Sequence, residues 1–61
     1  MPLVIVKMLD GRTVEQKRQM AAEITETVVR VAGTTIDQVD VVFEDYPKES
    51  WAKAGTLFSD K

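Results

Sequence analysis

The chain has 61 residues, which limits it to a single domain spanning residues 1–61 with a small core. It contains no cysteine and no histidine, so disulfides, thiolate metal sites and histidine-based acid–base catalysis are excluded. Eight Lys and Arg residues against ten Asp and Glu residues give a net charge of −2, which argues against a nucleic-acid partner.

No apolar run approaches the ~20 residues that span a bilayer, and no signal peptide is recognisable. We therefore expect a cytoplasmic protein, and the acidic outer face of its helix argues against a membrane partner. A chain this small, without disulfides or metal, is expected to gain stability by forming oligomers.

The first predicted element is a strand over residues 3–9, because nearly every residue there is apolar and several are β-branched. Asp10, Gly11 and Arg12 form a turn. A helix follows, opened by a capping box between Thr13 and Gln16 and running to about residue 32 before Gly33.

The apolar arc of this helix covers about half of the helical wheel, which is broad for a helix that covers two strands. Its members are Val14, Met20, Ala21, Ile24, Val28, Val29, Val31 and Ala32. Lys17 lies inside the arc and is expected to extend its ammonium group towards water.

Residues 34–38 are predicted to form a loop or one helical turn, residues 39–45 a second strand, and residues 51–58 a hairpin or arm around Gly55. The fold class is therefore α/β: a single βαβ unit with parallel strands, a right-handed crossover and a short C-terminal hairpin. The sheet face opposite the helix is left bare, so we expect another copy of the chain to cover it.

Few residues offer chemistry. Glu44, Asp45 and Glu49 cluster near a strand end, a pattern more typical of a solvated edge than of a metal site, and no metal is predicted. The unusual feature is Pro2 directly after Met1. Removal of Met1 would expose a secondary amine, which an apolar pocket or a nearby cation would keep neutral as a base. Alternatively, Pro2 simply begins an edge strand.

The whole chain resembles the 4-oxalocrotonate tautomerase family, without gaps. The resemblance rests on Pro2 after Met1 and on three further groups of residues, namely 7–13 with 15–17, 41–51, and 54–55. It implies a βαβ tautomerase that assembles as a hexamer, a trimer of dimers, and that acts in aromatic degradation without a cofactor.

By the same resemblance, Pro2 is the general base that moves a proton between the enol and a carbon of a conjugated 2-hydroxy acid. Arg12 binds the substrate carboxylate, for which a guanidinium offers a planar fork. Trp51 matches an aromatic wall of the pocket. Without the resemblance, Arg12 is equally well a solvated turn residue, and Trp51 a packing anchor of the C-terminal arm.

One position departs from the family pattern: Asp40 stands where the best-known members carry a second arginine. This puts turnover of the dicarboxylate 2-hydroxymuconate in doubt and leaves three interpretations. The substrate is a monoacid, or a partner subunit of a hetero-hexamer supplies the arginine, or Lys7 or Lys53 replaces it.

The predicted function is therefore an enol–keto tautomerase of small conjugated 2-hydroxy or 2-oxo acids that forms a homo-hexamer. Two alternatives stay open. One is a non-catalytic or complementary subunit of a hetero-hexameric tautomerase. The other is a hydratase resembling haloacrylate dehalogenases, with Glu44 or Asp40 activating water.

Overall fold

The computed structural model describes residues 1–61 and follows the order strand, helix, strand, hairpin. The main elements are β1 (Leu3–Leu9), α1 (Val14–Ala32), β2 (Asp40–Tyr46), β3 (Ala52–Lys53) and β4 (Thr56–Leu57). Three short 3₁₀ helices cover Ile36–Gln38, Lys48–Ser50 and Phe58–Asp60. The predicted α/β class, with one βαβ unit and a terminal hairpin, is confirmed.

The two long strands are parallel, and their register runs from Leu3 opposite Asp40 to Leu9 opposite Tyr46. Backbone hydrogen bonds extend the pairing at the far end, where the Asp10 N–H donates to the Tyr46 carbonyl at 2.9 Å. The predicted second strand, residues 39–45, lies one residue too early, because β2 runs over Asp40–Tyr46. The N–H of Val39 donates instead to the Ile36 carbonyl at 3.4 Å, which assigns Val39 to the end of the 3₁₀ helix.

The ends of α1 follow from local hydrogen bonding. The Thr13 hydroxyl accepts from the Gln16 N–H at 3.1 Å, and the Gln16 side chain accepts from the Thr13 N–H at 2.9 Å. Together they satisfy two of the N–H groups that a helix start leaves free. Gly33 ends the helix in the left-handed conformation, with φ of 74°, where a residue with a Cβ would be strained.

The helix covers one face of the two-stranded sheet only. Val4, Val6, Val41 and Phe43 are half-buried beneath it, because side chains of a strand alternate between the two faces. The opposite face, which we call the free face, exposes Leu3 by 58%, Ile5 by 50% and Val42 by 45%. The far edges of the helix arc, Val14 and Val31, are also exposed within one chain.

The C-terminal arm is a two-residue hairpin. Ala52 pairs with Leu57 and Lys53 with Thr56 in antiparallel fashion. The intervening Ala54 and Gly55 have φ of 53° and 83°, and two successive positive φ values give the turn whose twist matches that of the flanking strands.

One chain does not enclose a core of its own. No residue is fully buried, and the accessible surface is 4655 Å², against about 4,000 Å² for a compact monomer of this mass. The radius of gyration is 14.6 Å, against about 10.5 Å for a compact 61-residue domain. The apolar surface that would form a core is therefore distributed over the outside of the chain. None of its helices is suited to crossing a lipid bilayer.

Candidate active site

Pro2 lies at the amino end of β1, half-buried. Its carbonyl accepts a hydrogen bond of 3.0 Å from the N–H of Asp40, which ties it to the start of β2. Met1, which precedes it, is 85% exposed. The pairing of β1 with β2 therefore involves the carbonyl of Pro2 and not its nitrogen.

Arg12 lies beyond the other end of β1, in the turn between Asp10 and the helix cap Thr13. The turn reverses direction at Gly11, whose φ of 128° suits glycine alone. Arg12 is exposed and takes part in neither of the two ion pairs of the chain. Its guanidinium is therefore available to an external anion. It borders a shallow groove of about 230 Å³ with Gln16, Gln19, Met20 and Glu23.

Trp51 belongs to an aromatic cluster in the C-terminal arm. Its ring centroid lies 6.0 Å from that of Tyr46, edge to face, and 6.4 Å from that of Phe58. The Trp51 carbonyl accepts from the Phe58 N–H at 2.9 Å, which closes the arm. Such ring pairs are worth ~0.5–1.5 kcal/mol beyond the area they bury, so Trp51 is held by its neighbours and half-exposed.

The three predicted site residues do not share one pocket within a single chain. Pro2 precedes β1 and Arg12 follows it, and the six residue steps from Leu3 to Leu9 separate them by about 20 Å. Trp51 follows the carboxyl end of β2, the end remote from Pro2. What the structure does bring together is Pro2 and Asp40.

A model of the family described as "Tautomerase enzyme" matches residues 2–61. The chain belongs to the tautomerase family. The match begins at Pro2 and covers every element of the fold.

Similar proteins include the 2-hydroxymuconate tautomerase of Bacillus subtilis, which is 43% identical over 60 residues covering 98% of this chain and 97% of that protein. A probable tautomerase of Ralstonia nicotianae is 39% identical over 61 residues, covering 100% and 94%. Among solved structures, a 4-oxalocrotonate tautomerase homologue superimposes with a TM-score of 0.97 at 36% identity, covering 100% of this chain and 97% of the other. These likenesses support tautomerase activity, an isomerase function.

Two lysines were candidates to replace the arginine absent at Asp40, and neither neighbours Pro2 within this tautomerase chain. Lys7 lies opposite Glu44 farther along the sheet, and Lys53 lies in the C-terminal hairpin. Of these three charged residues, only Asp40 lies at the amino end of the strand pair, next to Pro2.

Sequence reasoning missed one ion pair of the tautomerase fold. The Lys17 ammonium donates to the Asp45 carboxylate and ties the first turns of α1 to β2. The position of Lys17 inside the apolar arc was the available signal, since a cation there needs water or a carboxylate. Nowhere in the chain do three or more acidic side chains lie together in a way that could hold a metal ion.

Proposed function

We propose that this protein is an enol–keto tautomerase of small conjugated 2-hydroxy and 2-oxo acids, with Pro2 as general base after removal of Met1. The observation that carries the proposal is the family match, which begins at Pro2 and covers the rest of the chain. The relative that is named for acting on 2-hydroxymuconate supports an acid of this class as substrate.

The proton transfer needs only a neutral amine. With Met1 attached, the Pro2 nitrogen is an amide without basicity; once Met1 is removed, it is a secondary amine. The amine takes the proton of the enol hydroxyl and delivers it to a carbon of the conjugated system, leaving a 2-oxo acid and the regenerated amine. No electrons are exchanged with a second molecule, so the reaction as proposed uses no metal or cofactor.

Removal of Met1 leaves the fold undisturbed. Met1 is 85% exposed, and the hydrogen bond that anchors this end of β1 runs from the Asp40 N–H to the Pro2 carbonyl. The change therefore alters the chemistry of one nitrogen and removes no strand pairing.

Arg12 is the proposed carboxylate-binding group. It has no ion partner in its own chain, and a guanidinium can hold a carboxylate through two parallel hydrogen bonds. Its charge also stabilises the negative charge that develops on the enol oxygen, which lies next to the carboxylate, as the hydroxyl proton is removed. Trp51 of another chain is the proposed apolar wall, which excludes water and favours the neutral form of the Pro2 amine.

The separation of about 20 Å between Pro2 and Arg12 is longer than any small acid can bridge. A working site therefore combines Pro2 of one chain with Arg12 of another. The free face and the exposed helix edges provide the surfaces for such contacts, and we propose a homo-hexamer arranged as a trimer of dimers, as the family resemblance implies.

The experiment is a kinetic comparison of the wild type with Pro2→Ala after intact mass has verified loss of Met1 in both. The substrate is 2-hydroxypenta-2,4-dienoate, followed by ultraviolet absorbance. Pro2→Ala replaces the secondary amine of the ring with a less basic and less rigidly placed primary amine, which should reduce kcat by about 10²-fold. Equal rates in the two proteins would refute the proline mechanism. An inactive wild type with a free Pro2 would favour the complementary-subunit alternative.

A further inference from the structure

The carboxylate of Asp40 is unpaired beside the proposed base. It is exposed and takes part in none of the side-chain hydrogen bonds or ion pairs of the chain. The 3.0 Å bond between the Asp40 N–H and the Pro2 carbonyl fixes its backbone next to Pro2. This backbone contact places the Asp40 side chain at the same end of the sheet as the proposed base, where a bound substrate would react.

The surroundings of Asp40 are apolar. In the parallel register it lies opposite Leu3, whose side chain is 58% exposed, and it precedes Val41 and Val42 in β2. The nearest cation along this face of β1 is Lys7, four residues beyond Leu3, which lies opposite Glu44. Apart from the terminal amine of the chain itself, the amino end of the sheet therefore offers the carboxylate of Asp40 and apolar side chains, and neither lysine candidate lies there.

We propose that Asp40 is a specificity-determining residue that selects monoanionic substrates, with one carboxylate and an uncharged far end, over dicarboxylates. This inference rests on the proposed function. A substrate held by its carboxylate at Arg12 reacts beside Pro2 and extends its far end towards Asp40 and Leu3. An apolar tail fits there, whereas a second carboxylate meets a like charge across a short distance.

The size of the effect follows from Coulomb's law. Two like charges about 5 Å apart repel enough to reduce binding by about fourfold at the dielectric constant of bulk water and by about 300-fold at an effective value of about 20, so an effect of about tenfold is expected for a partly solvated site. The repulsion acts on substrate binding and on the transition state alike, so it should fall mainly on KM.

The test uses two acids that differ only in the far carboxylate, 2-hydroxypenta-2,4-dienoate and 2-hydroxymuconate. The purified, Met1-free wild type should favour the monoacid in kcat/KM. Asp40→Asn should raise kcat/KM for the dicarboxylate about tenfold and change the monoacid by less than about threefold, and Asp40→Arg should raise the dicarboxylate further. Asp60→Asn, which removes the same charge at the other end of the chain, should leave the ratio unchanged.

A salt series separates the electrostatic role from a structural one. Raising salt from 0.1 to 1 M shortens the Debye length from about 10 to about 3 Å, so it should weaken the wild-type preference for the monoacid. In Asp40→Asn the ratio should respond less to salt, a difference that a mere packing change would not produce.

A ratio of the two kcat/KM values that is the same in wild type and Asp40→Asn would overturn the inference. That result leaves the proposed function intact if Pro2→Ala has lost activity on both acids. Equal rates in wild type and Pro2→Ala would refute the proposed function and this inference together. Should Asp40→Arg fail to assemble, Asp40→Asn decides alone, because it is nearly isosteric with the aspartate.

Discussion

The composite nature of the proposed site predicts that two inactive variants restore each other's activity. Pro2→Ala lacks the secondary amine of the proposed base and Arg12→Ala lacks the proposed carboxylate-binding group. Because β1 holds these positions about 20 Å apart, the proposed site draws them from two chains. In a random equimolar assembly, half of the chains carry an intact Pro2 and the other half an intact Arg12. About one quarter of the sites then contain both, giving about one quarter of wild-type activity.

The assay is co-expression of the two variants with different affinity tags, tandem purification, and native mass spectrometry to verify mixed oligomers. Rates are measured with 2-hydroxypenta-2,4-dienoate. The control mixes Pro2→Ala with the double variant Pro2→Ala/Arg12→Ala, which supplies no intact Pro2 and should stay at the level of its parents. Verified mixed oligomers that are no more active than Pro2→Ala or Arg12→Ala alone would refute the reasoning.

Two predictions concern stability and titration, both measured at fixed chain concentration because the stability of a chain that forms oligomers depends on that concentration. Lys17→Met should lower the free energy of unfolding by up to about 1 kcal/mol in urea, since the ion pair with Asp45 is partly exposed; an unchanged midpoint would contradict it. The hydrogen bond from the Thr35 hydroxyl, at 2.6 Å, lowers the pKa of Asp37 below its ordinary 3.8, with a second contribution from Gln38. Because the pKa of Asp37 is lower in the folded state, its carboxylate adds to the free energy of unfolding above pH 3.8, and this contribution is lost as the pH falls through the folded-state pKa. Thr35→Val should raise the Asp37 pKa, which an NMR titration measures. The free energy of unfolding of this variant should then decrease less on acidification than that of the wild type.

The parts of the fold that local chemistry determines were predictable from the sequence. The bounds of β1, the capping box of Thr13 and Gln16, and the left-handed Gly33 all follow from short-range rules. The start of β2 was misplaced by one residue, because the hydrogen bond from Val39 to Ile36 competes with strand pairing and leaves no mark in the apolar pattern.

The site residues stay a prediction, whereas their placement in the fold could be learned only from the structure. Pro2 was singled out by its position after Met1, and Arg12 and Trp51 by the family resemblance, which does not say which chain supplies which residue. Their separation depends on the direction of β1 and on the arm, and so emerges only from the topology. That Pro2 and Asp40 are neighbours could likewise be learned only from the parallel register of β1 and β2, since the two residues lie far apart in sequence.

The absence of any fully buried residue has a consequence for the quantity of active protein in a cell. If packing and catalysis both begin when chains meet, newly made chains contribute no turnover until their abundance passes the dissociation constants of the assembly. Output then rises more steeply than gene dosage at low expression and in proportion to it at high expression. Under that condition, a low chain concentration would by itself keep the activity low, without any inhibitor.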